Sequence, residues 1–193
     1  MKAKLAAGFL MAMQLVAGMR MNPAAAPDVT VYVAAGAAPF GLQAKALAGS
    51  MFAAAGVRVA WRNGIPKPDA MGGLVVGVRF DEAPARDYRP GALAVAYPFA
   101  QGSRGITVFY DRVLATARAS GVEEYRVTAH VLVHEITHVL ERIDRHSESG
   151  VMKAHWSRDD YAEMARTPLP FAEEDLAWIH RTVEGLRNAS VGR

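Results

Sequence analysis

Residues 120–152 read SGVEEYRVTAHVLVHEITHVLERIDRHSESGVM. Val127, Val131, His134 and His138 recur at three- and four-residue spacing on one stripe, and Leu132, Ile136, Val139 and Ile143 on the next. Such a segment is a helix that is apolar over most of its circumference and therefore buried. Ser120 is the expected N-cap, with Glu123 as its capping-box partner, and the helix is expected to run through EEYRVTAHVLVHEITHVLER. The rest of the chain must build a layer for it to lie against.

That layer reads as a sheet. DVTVYVA (28–34) alternates apolar residues, QAKALAGSMFAAAG (43–56) has helical composition and ends in Gly56, and VRVAWRNG (57–64) alternates again, giving strand, helix, strand. LVVGVRF (74–80), ALAVAYPF (92–99) and ITVFYD (106–111) supply three more strands between Pro- and Gly-rich loops. TPLPFAEEDLAWIHRTVEGLRN (167–188) is a last amphipathic helix, with Leu176, Ile179, Val183 and Leu186 on one face and acidic residues in its first turn. The expected fold is α+β: a mixed, mostly parallel five-stranded sheet backed by two long helices, with a further helix at the C-terminal end.

At 193 residues, 51% hydrophobic and 21% charged, the chain has the size and composition of one folded domain and of neither a disordered nor a fibrous protein. The 22 basic residues behind the net charge of +3 are scattered, so no nucleic-acid partner is expected. Without cysteine there is no disulfide framework and no thiolate ligand, and any metal must be held by His and carboxylates. Lys2 and Lys4 precede an apolar run from Leu5 to Gly18, the pattern of a signal peptide, and that run is shorter than the roughly 20 residues of a membrane span. Cleavage after Gly18 or within Ala24–Ala26 would leave residues 1–26 as leader and linker, and 27–193 as a single secreted or periplasmic domain without stable membrane insertion. A buried N-terminal helix, or a start at Met21, are the alternatives. A monomer is expected.

The chemistry lies in HEITH. Residues four apart on a helix share a side, so His134 and His138 can present two imidazole nitrogens to one tetrahedral ion. Glu135 beside them can take a proton from a water whose pKa zinc lowers to about 7. An open fourth position requires three protein ligands, so the identity of the third decides what the site can do. Two buried, hydrogen-bonded histidines on a core helix are the alternative without metal.

With HEITH on its helix, the strand–helix–strand opening and a methionine downstream, the chain resembles the metzincin clan of zinc metalloproteases, whose pattern is His-Glu-x-x-His-x-x-Gly-x-x-His with a later Met-turn. It is also similar to short bacterial zincin-like proteins that carry an RHSESGVMKAHW-type segment. The resemblance implies a metzincin-like fold whose last helix follows the Met-turn, one Zn2+ ion, a peptide or protein substrate cut at internal bonds, Glu135 as base, and Met152 as an apolar floor beneath the site. Two positions depart from the clan: Glu141 stands in place of its Gly, and Asp144 in place of its third His.

Because a left-handed turn costs Glu more than Gly, the helix is expected to run on to Ile143 or Asp144, with Asp144 tolerating the turn. The chain then returns at His146, an imidazole like its two partners. His146 is therefore the preferred third ligand, Asp144 the alternative, and Glu148 a more distant one. If it does not bind metal, Asp144 is expected to cap the helix or orient a ligand histidine.

Glu141 reads either as an acceptor behind a ligand or as a solvated helix-end charge. His155 reads as a surface histidine, with oxyanion stabilisation as its alternative. His130 and His180 read as satisfied helix histidines. ALAVAYPF, with Pro98 near its end, is the expected sheet edge beside the cleft, where an extended peptide could add a strand. The rival function is a catalytically silent zinc-binding module that uses the site for structure or partner recognition.

Overall fold

The computed structural model describes residues 26–34, 41–66, 73–81, 91–97 and 104–191. The expected leader up to residue 25, and Pro98, lie outside these residues. Strand β1 (Val29–Val33), helix α1 (Leu42–Ala54) and strand β2 (Val59–Asn63) form the strand–helix–strand opening, followed by β3 (Leu74–Asp81), β4 (Ala94–Tyr97) and β5 (Arg104–Phe109). Helices α2 (Tyr110–Ser120), α3 (Glu124–Glu141), α4 (Arg158–Met164) and α5 (Glu173–Val191) complete the chain. The fold is α+β, with five helices among the described residues.

The sheet order is β2-β1-β3-β5-β4. All neighbours are parallel except β4, which pairs antiparallel with β5 and forms one edge. Strand alternation decides which side chains enter the core: Val29, Val31 and Val33, then Leu74, Val76 and Val78, then Ile106 and Val108 are buried. They join Ala48 and Phe52 of α1 and Leu132, Ile136 and Val139 of α3 in one cluster. α3 is buried from Val127 to Leu140 apart from Glu135 and, at its end, carries Glu141 into the interior as well. Its all-round apolar composition is thus matched by a position between sheet and helices, packed against α1, α2 and α5.

α5 is docked through Ile179 and Val183, which are buried. At its far end Arg187 donates to both carboxylate oxygens of Asp28 at 2.9 and 2.8 Å, and Arg58 bonds the same group at 2.7 Å. Burial alone would raise the Asp28 carboxyl, but the bonds from Arg187 and Arg58 outweigh it and hold the group well below the usual carboxylate range. No helix among the described residues is long and apolar enough to cross a membrane.

Three local expectations are corrected. Ser120 is not an N-cap: it is the last residue of α2, where its Oγ donates to Thr116 O at 2.8 Å. Gly121 at φ 72° closes that helix, and α3 starts after Glu123 without a side-chain cap. ITVFYD is strand only to Phe109, because Tyr110, Val113 and Ala117 recur at helical spacing and bury one face of α2. At the other end α3 does not run to Ile143 or Asp144. It stops at Glu141, and Arg142, not Asp144, takes the left-handed conformation at φ 55°, its N–H donating to His138 O at 3.0 Å.

A left-handed L-residue costs roughly 1–2 kcal/mol, and glycine's extra backbone entropy offsets about half of that. Arg142→Gly should therefore raise the urea midpoint, at unchanged m-value, by the equivalent of about 0.5–1 kcal/mol. A lowered midpoint would show that the Arg142 side chain contributes more than its backbone strain removes.

Candidate metal centre

The end of α3 and the turn after it fix the two helix histidines from behind. His134 and His138 are buried, 9% and 7% exposed, and one turn apart. Nδ1 of His134 lies 2.9 Å from the carbonyl of Val151, and Nδ1 of His138 lies 3.0 Å from that of Ile143. Carbonyls only accept, so both Nδ1 atoms donate and both Nε2 atoms are left with lone pairs. Those two Nε2 atoms are 3.0 Å apart.

Two neutral rings carry two N–H groups, and three close contacts require a hydrogen or a cation. A third proton is disfavoured: burial, and then the charge of His138, push the His134 pKa down to about 3, while burial also lowers that of His138. A metal ion resolves the count without a proton. Two nitrogens each 2.0–2.1 Å from a tetrahedral ion stand about 3.3 Å apart, close to the spacing observed.

His146 completes the group. It follows Ile143, Asp144 and Arg145 on a stretch that is neither helix nor strand. Its ring lies 5.2 Å from that of His134 and 4.9 Å from that of His138, centroid to centroid. One nitrogen from each of the three rings lies within 4.8 Å of the others, so His134, His138 and His146 form a group that could hold a metal ion. The early end of α3 explains the placement. Once Arg142 turns the backbone, Ile143 offers its carbonyl back to His138 and the chain crosses in front of the helix at His146.

Asp144 is exposed and lies outside that group, on the wall of the adjoining cavity. It neither caps α3, which Arg142 closes, nor supplies the Nδ1 partner of His138, which is the Ile143 carbonyl. Glu148 is exposed and also outside the group.

Glu135 faces the same cavity, of about 700 Å3, as the three histidines. Burial pushes its carboxyl up to about 7, the Ala96 N–H of β4 opposes that shift by donating to it, and the charge of Asp144 adds to it. Ala94 and Ala96 of the edge strand line the cavity with Glu135. Trp156 and Tyr161 also line it, as do the buried Phe109 and Val131.

Met152 sits in a turn that supports His134 through backbone. Met152 is 1% exposed and Val151 is fully buried. Ser147 N–H donates to Met152 O at 2.9 Å, and Val151 N–H to Pro170 O at 2.8 Å, while the Val151 carbonyl holds His134. Gly150 is required here: φ is 74°, and a Cβ would stand 2.2 Å from Pro170 O.

The remaining histidines separate cleanly. His130 donates from Nδ1 to Arg126 O at 2.7 Å and accepts from Leu169 N–H at 3.0 Å, and burial holds it neutral with a pKa near 4. His180 bonds Ala55 O at 3.2 Å. His155 is exposed on the cavity wall. Glu141 is not solvated: its side chain is buried, 3.9 Å from Arg145, and burial raises its carboxyl to about 7 against the pull of that guanidinium.

Trp156, whose ring lies 6.0 Å from that of His134, and Tyr161 were not singled out by sequence. The capping box Ser157/Asp160 that starts α4 would have placed Tyr161 on a helix beside the site. Comparison with models of known protein families gives no match to this chain, and comparison with curated proteins gives none either.

His146→Ala should strip bound zinc at least as thoroughly as His138→Ala, whereas Asp144→Ala should retain most of it, measured as metal per protein after dialysis. The opposite ranking would make Asp144 the third ligand.

Proposed function

We propose that the chain is a zinc-dependent peptidase. The carrying observation is the convergence of three imidazoles and the Glu135 carboxylate on one cavity bounded by a sheet edge. The donor set fits zinc: all nitrogen, two of the rings oriented by backbone carbonyls, and three in number. When bound, zinc supplies Lewis acidity, lowering the pKa of a coordinated water toward 7 and polarising a carbonyl.

The chain's own residues do the rest. β4 offers an edge along which an extended peptide can lie, bringing its scissile carbonyl into the cavity. Glu135, which faces the cavity beside the three imidazoles, takes the proton of the attacking water as the C–O bond forms. It then delivers that proton to the leaving nitrogen as the C–N bond breaks. Val151 and Ile143 keep the ligand rings from turning throughout. Among the described residues the group has three donors, which supports turnover over a purely structural metal closed by four. The metzincin-like motif, the Met152 turn and the leader-like start at Lys2–Gly18 support an exported, metzincin-like enzyme as the fuller form of the same proposal.

Zinc content and cleavage of casein or a peptide library should be compared for wild type and Glu135→Gln. About one zinc in each, with cleavage reduced about 10²–10⁴-fold in the variant, is the expected result. Equal cleavage by both, or bound zinc with cleavage by neither, would leave a non-catalytic zinc module as the better description.

A further inference from the structure

His134 and His138 stand on a helix locked into the core, but His146 does not. It is an exposed side chain at the end of a stretch without secondary structure. A ligand on such a stretch must be ordered each time metal binds, at a cost in affinity, unless something else orders it first.

The two residues that flank His146 supply that order. Arg145 donates from Nη2 to Oδ1 of Asp175 at 2.7 Å, and from Nη1 to Ser147 Oγ at 3.2 Å. Ser147 donates from Oγ to the same Asp175 oxygen at 2.6 Å. Oδ2 of Asp175 accepts the Ala172 N–H at 3.1 Å. The Asp175 side chain is 1% exposed, in the first turn of α5. One buried carboxylate thus grips the chain immediately before and immediately after the third imidazole. Its helix is fixed in turn by Ile179, Val183 and the Arg187–Asp28 pair.

We propose that Asp175, acting through Arg145 and Ser147, is the positioning residue for His146, so that a side chain of the C-terminal helix sets metal affinity at the α3 centre. The proposal rests on the three-histidine reading of the site. A carboxylate that merely fastened α5 to the domain would change folding stability and leave the metal affinity of the folded protein alone. A carboxylate that orders His146 changes the affinity, and does so only while His146 is present.

The test uses the full chain with Arg145→Met and, separately, Asp175→Asn. Arg145 is partly exposed, and its loss leaves Asp175 two donors, so Arg145→Met keeps the test open should Asp175→Asn fail to fold. Zinc affinity is read by competition with a chromogenic chelator, and ligand geometry from the visible absorption of the Co2+-loaded protein.

The expected result is zinc binding about 10–100-fold weaker in each variant, with a cobalt spectrum shifted toward that of His146→Ala and recovery in Arg145→Lys. Adding Arg145→Met to His146→Ala should cause no further loss. Wild-type affinity in both variants, or an equal further loss in the His146→Ala background, would overturn the proposal while leaving the metal centre standing. Zinc uptake by neither wild type nor variants would overturn the metal centre and the proposal together.

Discussion

The structure around α3 turns on two imidazole Nε2 atoms held 3.0 Å apart. Water would ordinarily keep such groups separate. Here the Val151 and Ile143 carbonyls take the Nδ1 hydrogens and leave neither ring a proton to share. Both supports are backbone groups in irregular chain, and each has a local cause. Ile143 reaches back because Arg142 breaks the helix in a left-handed conformation. Val151 reaches back because Gly150 lets the turn press against Pro170. A residue in a sparsely populated backbone region persists where the surroundings over-determine it, and here what it fixes is the orientation of a candidate ligand.

Much of this was legible in the sequence, because periodicity and motif are local. The strands announce themselves by alternation, α3 by its apolar circumference, and the histidine pair by its four-residue spacing. Preferring His146 over Asp144 also followed from local reasoning, and His146 is the residue that the fold brings beside His134 and His138. The chain reaches it by a different path: the helix ends at Glu141, two or three residues sooner than expected, and the left-handed residue is an arginine. Backbone propensity disfavours Arg at that position, yet it is Arg142 that turns left-handed there, with its N–H bonded to His138 O.

What stayed hidden has a common physical character. By propensity Ser120-Gly121 serves equally well as a helix end or a helix start, and burial of Tyr110, Val113 and Ala117 decides for an end. The Arg145–Asp175 pair spans 30 residues, and nothing in either segment names its partner. The same holds for Glu135 and the Ala96 amide, which meet only because β4 folds back antiparallel to edge the sheet above α3. Contacts between distant residues, which complete the centre and its cavity, are the part that one-dimensional pattern leaves out.

The central claim is that His134, His138 and His146 hold one zinc ion and leave it a position for chemistry. Zinc K-edge X-ray absorption of the zinc-loaded full chain tests it most directly, since imidazole rings add a distinctive outer-shell signature to the nearest-neighbour distances. A three-histidine centre predicts three imidazole nitrogens and one non-protein oxygen, all at about 2.0–2.1 Å. Two imidazoles with a carboxylate that disappears in Asp144→Ala, or four protein donors with no exchangeable ligand, would contradict it.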